Sequence, residues 1–245
     1  LTRLELIAVE GLPEVSPGND LGALISSRSE LKNGDILVVA QKVVSKSEGR
    51  LISLQAVTAG DEALRIAPNL IANPDPRMVE VVLDESVRVL RSHRVLITET
   101  PHGFVCANSG VDHSNVPGDD VLTLLPKDPD ASADRLRLSL RELAGVEVGV
   151  IISDTFGRPW RLGIVNVALG IAGLPALVDL RGTTDDTGKP LHATVLAVAD
   201  DIAAAAGLVM GKTARTPAVI VRGFEIRGSG RGRDLVRPAA EDLFR

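Results

Sequence analysis

Ser153-Asp154-Thr155-Phe156-Gly157-Arg158 directly follows an apolar run, Val146 to Ile152, that reads as a buried strand. A carboxylate at the C-terminal end of such a strand is held rigidly at a sheet edge, where ligands bind. Asp154 and Thr155 set two oxygen donors side by side, a pairing suited to a hard cation such as Mg²⁺ or Mn²⁺. Arg158 could then grip phosphate with both arms of its guanidinium. A helix N-cap is the alternative use of the same residues. Asn108-Ser109-Gly110-Val111-Asp112-His113-Ser114-Asn115 concentrates Gly, Asp and Asn where a hairpin ends. There Asp112 is a second candidate metal carboxylate, and Asn115 could hydrogen-bond a base or ribose; an Asx turn is the simpler reading. In Gln41-Lys42-Val43-Val44-Ser45-Lys46 the two lysines stand four apart, so one helical turn places them together and an anion between them would be welcome.

Two glycine-rich segments bear on phosphate. Gly207-Leu208-Val209-Met210-Gly211-Lys212-Thr213 has one residue too few between its glycines for a P-loop. It also lies between a helix and a strand, the reverse of the order that points a helix N-terminus at phosphate. Lys212 could still touch a nucleotide, or simply end the helix. Gly228-Ser229-Gly230-Arg231-Gly232-Arg233 reads as a mobile basic loop, either closing over phosphates or solvated. Arg181 to Pro190 is a second candidate lid. His93, His102, His113 and His192 fall in no zinc-ligand spacing. Cys106 has no Cys partner and sits in an apolar strand as packing. No Gly-x-Ser-x-Gly nucleophile elbow occurs.

Several elements must position these groups. Leu4 to Val9, Ile36 to Ala40, Val146 to Ile152, Ala176 to Leu180 and Ala218 to Arg222 read as strands. Val95 to Thr98 and Phe104 to Ala107 form a hairpin around Pro101-His102-Gly103. Helices are expected over Asp20 to Ser29, Asp61 to Ala67, Pro76 to Leu90, Asp130 to Ala144, Val195 to Ala206 and Pro238 to Phe244. The Pro76 to Leu90 helix would carry the stripe Val79, Leu83, Val87 and Leu90. Asp130 or Ser132 would cap the Asp130 to Ala144 helix and Gly145 would stop it. Helices and strands alternate irregularly, which predicts an α+β fold with mixed sheets rather than a doubly wound parallel one. An internal boundary is expected near residues 68–76, where Pro and Asn cluster.

The 245 residues are enough for one large domain with a core that needs no disulfide staple. A single cysteine makes a reducing, cytoplasmic compartment the default. Uncharged apolar runs such as Ile202 to Met210 are far short of a membrane span, and no signal peptide is visible. Four Phe, one Trp and no Tyr leave few platforms for stacking on nucleic acid. The net charge of −5 conceals an uneven spread: residues 208–245 carry +4 and the rest −9. Acidic groups in the body suit metal ions and a basic end suits phosphate. The residues alone are compatible with a metal-dependent nucleotide phosphohydrolase or a non-catalytic nucleotide- or RNA-binding module.

In order and spacing, several segments together resemble the coenzyme F420:L-glutamate ligase (F420 γ-glutamyl ligase) family. They are Val9-Glu10-Gly11-Leu12-Pro13, Gly34-Asp35-Ile36-Leu37-Val38-Val39, Ser45-Lys46-Ser47-Glu48-Gly49-Arg50, Gly110-Val111-Asp112-His113-Ser114-Asn115, Ser153-Asp154-Thr155-Phe156-Gly157-Arg158 and Val219-Ile220-Val221-Arg222-Gly223. The resemblance implies an α+β fold of two intertwined subdomains that pairs as a homodimer. It implies a GTP-dependent ligase, requiring Mg²⁺ or Mn²⁺ and taking K⁺, that adds L-glutamate to the unglutamylated F420 precursor through an acyl phosphate. Carried onto this chain, the metal ligands would be Asp112, Asp154 and Thr155, and the catalytic residues Asp112, Asp154 and Lys46. Nucleotide contacts would come from Leu12, Pro13, Glu14, Val15, Gln41, Lys46, Asn115, Met210, Gly211 and Lys212. The segment around Lys212 departs from the archaeal pattern, which is more Gly-rich and acidic there. The actinobacterial form is similar in detail and implies fusion to a C-terminal flavin-binding, nitroreductase-like domain. No nucleic-acid or membrane partner is expected. Trp160, a few residues beyond Asp154, is the aromatic ring expected to meet the flat deazaflavin.

Overall fold

Four successive apolar residues cannot all face one core. Ile36-Leu37-Val38-Val39 is buried on both sides, Leu37 and Val39 in one cluster and Ile36 and Val38 in another. The computed structural model describes residues 3–71, 73–116, 118, 120–226 and 228–242. In chain order its elements begin with β1 (Glu5–Ala8), α1 (Leu21–Ser26), β2 (Ile36–Ala40), α2 (Gln41–Ser47), β3 (Leu51–Ser53), α3 (Asp61–Ile66) and α4 (Pro76–Asp84). Next come β4 (Arg88–His93), β5 (Val95–Glu99), β6 (Val105–Ala107), β7 (Val121–Thr123) and α5 (Pro129–Ala144). The chain continues through β8 (Gly149–Arg158), β9 (Arg161–Ala172), β10 (Val178–Asp179), β11 (Val195–Leu196), α6 (Val198–Met210) and β12 (Ala218–Arg222).

The main sheet runs β1-β12-β2-β8-β9, antiparallel except for the parallel β2–β8 pair. Ile25 of α1 and Ala133, Leu136 and Leu140 of α5 close the core on one face. Ala199, Ile202, Ala203 and Ala206 of α6 close it on the other. A smaller core is built wholly from the segment between α2 and α5: Leu54, Ala63 and Ile66, Val79, Val81 and Val82, Leu96, Val111, Leu122 and Leu124. It carries the β3–β7 pair and the β4-β5-β6 sheet. The stretch 68–76 joins α3 to α4 within this smaller core. The α+β class with mixed sheets, expected from the irregular alternation, is the one observed.

Several boundaries differ from the sequence-based expectation. The helix expected over Pro76 to Leu90 stops at Asp84, and Arg88–His93 is a strand paired with β5. Val87 and Leu90 are exposed instead of completing a helical stripe. The cap of α5 is Asp128, whose Oδ1 accepts from the Ala131 N–H at 2.9 Å, while Gly145 ends the helix in the left-handed region as expected. Asp130 instead accepts from the Ile171 and Gly232 N–H groups. The last long helix starts at Val198, and Val195–Leu196 pairs with β10. Ala239–Glu241 is a single 3-10 turn rather than part of a Pro238 to Phe244 helix, and residues 243–245 lie outside the described residues.

The largest difference concerns β8. It does not end at Ile152 but continues through Asp154 to Arg158, antiparallel to β9. Its register slips between Ile152 and Ser153, where Leu169 on β9 has no opposite number.

Candidate active site

The parallel strands β2 and β8 lie side by side, so the segments that leave their C-terminal ends converge. Helix α2 starts immediately after β2 and points Lys42 and Lys46 the same way, as their spacing predicts. They do not share one anion, however. The Lys42 ammonium pairs with Asp112 Oδ2 at 2.6 Å and also donates to the Ser114 carbonyl at 2.9 Å and to the Ser114 hydroxyl. The Lys46 ammonium, almost wholly buried, pairs with Glu14 and donates to the Asn115 carbonyl at 2.6 Å. The loop after β1, which holds Leu12, Pro13, Glu14 and Val15, is therefore tied to α2, with Val15 buried. Gln41 is buried at the start of α2. Its carbonyl oxygen accepts from the Ser45 hydroxyl at 2.8 Å, and among the described residues its Nε2 has no hydrogen-bond partner.

A tight left-handed turn sets Asp112 in place. Asn108, Ser109 and Gly110 take φ values of 54°, 51° and 71° in succession. The Ser109 N–H donates to Thr98 Oγ1 at 2.9 Å, and Asp112 pairs through its backbone with Thr123 on β7. Burial works against the Asp112 charge. The Lys42 ammonium and the Ser114 N–H and hydroxyl outweigh it and hold the carboxyl below its ordinary range.

Asp154 and Thr155 lie within β8, not at a strand end and not at a helix cap. Successive side chains of a strand face opposite ways. Ser153 and Thr155 turn toward the end of α6: Asn166 donates to the Ser153 hydroxyl at 3.0 Å and meets the Met210 sulfur, and the Lys212 ammonium donates to Thr155 Oγ1 at 2.7 Å. Asp154 takes the other face. Burial pushes its carboxyl up to about 6; the Thr155 N–H and the Lys212 and Lys42 charges pull against this, and the Asp112 charge adds to it. On the same face, Cys106 is buried, and burial together with the Asp154 charge drives its thiol to about 12. That state is inert, in keeping with a packing role.

Asp112, Asp154, Thr155, Lys42, Lys46, Asn115 and Lys212 thus converge from separate parts of the chain. Lys212 joins this cluster through Thr155. Arg158 does not join. It donates to the Leu162 carbonyl at 2.7 Å at the β8–β9 hairpin tip. Trp160 stands at the same tip, 88% exposed and away from Asp154 along the strand. Sequence reasoning missed the Lys42–Asp112 pair, because seventy residues separate its members and no local pattern links them. It also missed Glu14 as the counter-charge of Lys46.

The donor chemistry fits a divalent cation. Among the described residues no three His, Cys, Asp or Glu side chains gather at one point. Mg²⁺ sites on phosphate substrates need only one or two carboxylates, the rest being water and phosphate oxygen. Asp112 and Asp154 supply those carboxylates, and burial disfavours the Asp154 charge while Lys212 and Lys42 offset this in part.

Residues 11–223 match the protein family described as F420-0:Gamma-glutamyl ligase. A coenzyme F420:L-glutamate ligase from Methanothermobacter thermautotrophicus is 46% identical to this chain, over 99% of each. Its counterpart from Methanopyrus kandleri is also 46% identical, over 99% of this chain and 97% of that protein. A third, from Methanocaldococcus jannaschii, is 41% identical over the same shares.

Proposed function

The chain belongs to the F420-0:gamma-glutamyl ligase family and is a ligase, and from that premise we propose that it joins L-glutamate to the F420 precursor at the expense of GTP. The observation that carries the reading is the convergence of two carboxylates, Asp112 and Asp154, with three lysines, Lys42, Lys46 and Lys212. A carboxylate does not condense with an amine in water until its oxygen becomes a good leaving group. In the proposed reaction a carboxylate oxygen of the precursor attacks the γ-phosphorus of GTP, and the bond from that phosphorus to GDP breaks. The glutamate amine then attacks the acyl carbon, phosphate leaves, and the nitrogen gives up a proton. Such phosphoryl transfer asks chiefly for positioning and neutralised charge.

Mg²⁺ or Mn²⁺, held by Asp112 and Asp154, would neutralise phosphate oxygens; the Thr155 side chain, on the other face of β8, accepts from Lys212 instead. Lys42 and Lys46 carry the positive charge of α2 toward the nucleotide, and Lys212 carries that of the α6 end. The Gln41 amide at the start of α2, and the loop of Glu14 and the Asn115 carbonyl that both meet Lys46, suit a nucleotide. No serine or cysteine nucleophile is required, which agrees with the inert Cys106.

Mass spectrometry checks the whole reading. Incubation with the precursor, L-glutamate, GTP and Mn²⁺ should add one glutamyl mass unit or more. Asp112→Asn and Asp154→Asn should each abolish the gain while retaining the native circular-dichroism spectrum. GTP hydrolysis that proceeds equally well without precursor and glutamate would instead mark a phosphohydrolase.

A further inference from the structure

A cavity of about 430 Å³ opens between the loop before β6, the first turn of α5 and the 228–233 segment. That segment is not the mobile lid its composition suggests. The Gly232 N–H donates to Asp130 Oδ1 at 2.7 Å, and a Cβ at Gly232 would lie 1.9 Å from the Leu169 carbonyl oxygen. A Cβ at Gly230 would meet the Ala176 backbone nitrogen at 2.3 Å. The glycines let the basic loop press flat onto β9, and this fixes Arg231 and Arg233 at the cavity wall. Arg231 is spoken for, since it pairs with Asp134 at 2.6 Å. Arg233 and Lys127 line the same cavity, and among the described residues neither cation has a hydrogen-bond or ion-pair partner. Asp128 lines it too: its Oδ1 is engaged by the α5 cap, and among the described residues its Oδ2 has no hydrogen-bond partner.

The opposite wall is rigid. The His102 and Phe104 rings stack with centroids 5.6 Å apart. His102 Nε2 lies 3.0 Å from both the Pro126 and Lys127 carbonyls. Carbonyls only accept, so this nitrogen carries the proton. Phe104 meets Phe156 edge-on at 6.3 Å. Phe156 is two residues from Asp154 on the same face of β8, and Phe104 is two residues from Cys106, which senses the Asp154 charge. Two residues of strand span roughly 7 Å, so the Phe104–Phe156 contact links the cavity wall to the stretch of β8 that carries Asp154.

We propose that this cavity binds the incoming L-glutamate, with Arg233 and Lys127 taking its two carboxylates and Asp128 its ammonium group. L-glutamate carries two negative charges and one positive, which matches the two unpaired cations and the open Asp128 oxygen; of the other two carboxylates on the wall, Asp134 is paired with Arg231 and Asp130 accepts from two backbone N–H groups. A phosphate or nucleotide would leave Asp128 facing an anion. A flat uncharged ring would leave both cations unpaired. The assignment rests on the ligase reading and names the subsite of its amino-acid substrate.

Steady-state kinetics on the full chain test it, with glutamate, GTP and the precursor varied in turn. Arg233→Ala and Lys127→Ala should each raise the KM for L-glutamate by roughly tenfold or more, the usual weight of a charge-assisted hydrogen bond. The KM values for GTP and precursor should stay within about twofold. Arg233→Lys should recover part of the loss, which a mere folding defect would not show. An unchanged glutamate KM in Arg233→Ala and Lys127→Ala, or a rise confined to the precursor KM, overturns the assignment. Absence of any glutamylated product from the wild-type chain overturns the ligase reading itself, and the subsite with it.

Discussion

The two carboxylates of the site have opposite electrostatic histories. Asp112 is stabilised as an anion by Lys42 and Ser114, whereas Asp154 is destabilised as an anion by burial. Their removal should therefore move stability in opposite directions. The Asp154 pKa rises from 3.8 in the ordinary state to about 6 in the fold. Above pH 6 the folded protein bears the full cost of the buried charge. As the pH falls from 6 to 3.8 the folded state takes up a proton that the unfolded chain still lacks, so this group destabilises progressively less. Below 3.8 both states are protonated and the contribution vanishes. Asp154→Asn should be more stable than wild type by about 2–3 kcal/mol at pH 7.5, and the difference should close by about pH 3.5. Asp112→Ala leaves Lys42, whose side chain is 18% exposed, without its ion pair, and should cost about 1–3 kcal/mol. Urea titrations of the three proteins at both pH values check this. A destabilised Asp154→Asn at pH 7.5 would mean that its charge is already compensated.

At the level of elements, the turn at Asn108–Gly110 delivers Asp112 to Lys42. Gly110 has φ +71°, and a Cβ there would lie 2.6 Å from Leu125 Cδ2. Gly110→Ala combines a left-handed penalty with overpacking and should lose about 2–4 kcal/mol. Denaturant midpoints measure that loss. Mn²⁺ affinity should fall with it, because the turn aims the carboxylate. Much of this architecture is legible in the sequence. Asn, Gly, Asp and Ser cluster at the turn, Lys42 and Lys46 lie on one helical turn, and Ile36 to Ala40 reads as a buried strand. The errors share a physical cause, since sheet pairing is decided by distant partners that no local window contains. Arg88–His93 became a strand because β5 was there to pair with it, in spite of a helix-like spacing of Val79, Leu83, Val87 and Leu90. Strand β8 ran on past Ile152 because β9 shadows it to the hairpin tip. Asp154 and Thr155 therefore face opposite ways instead of capping a helix. The cavity wall was equally hidden, because Lys127, Asp128 and Arg233 meet only when Asp130 holds the 228–233 loop against α5.

The whole molecule places its site across a seam. The large core supplies Lys42, Lys46, Asp154 and Thr155; Asp112 and Asn115 come from the segment that builds the smaller one. Arg50 ties the two together, donating to the Leu125 carbonyl at 2.9 Å and pairing with Glu85 at 2.7 Å. Lys42–Asp112 and Lys46 with the Asn115 carbonyl add two further links. A ligand that reaches both sides of such a seam must stabilise the docking of the cores as well as itself. GTP with Mn²⁺ at about a hundred times its Kd should add roughly 2.7 kcal/mol, raising the thermal midpoint of a chain this size by about 5–10 °C. Lys46→Ala, which removes a buried cation bonded to both sides, should lose most of that ligand-induced rise when compared with its own unliganded midpoint. Scanning fluorimetry with GTP, ATP and Mn²⁺ alone separates the contributions. An equal rise with ATP would remove the guanine preference, and a full rise in Lys46→Ala would move the nucleotide away from α2.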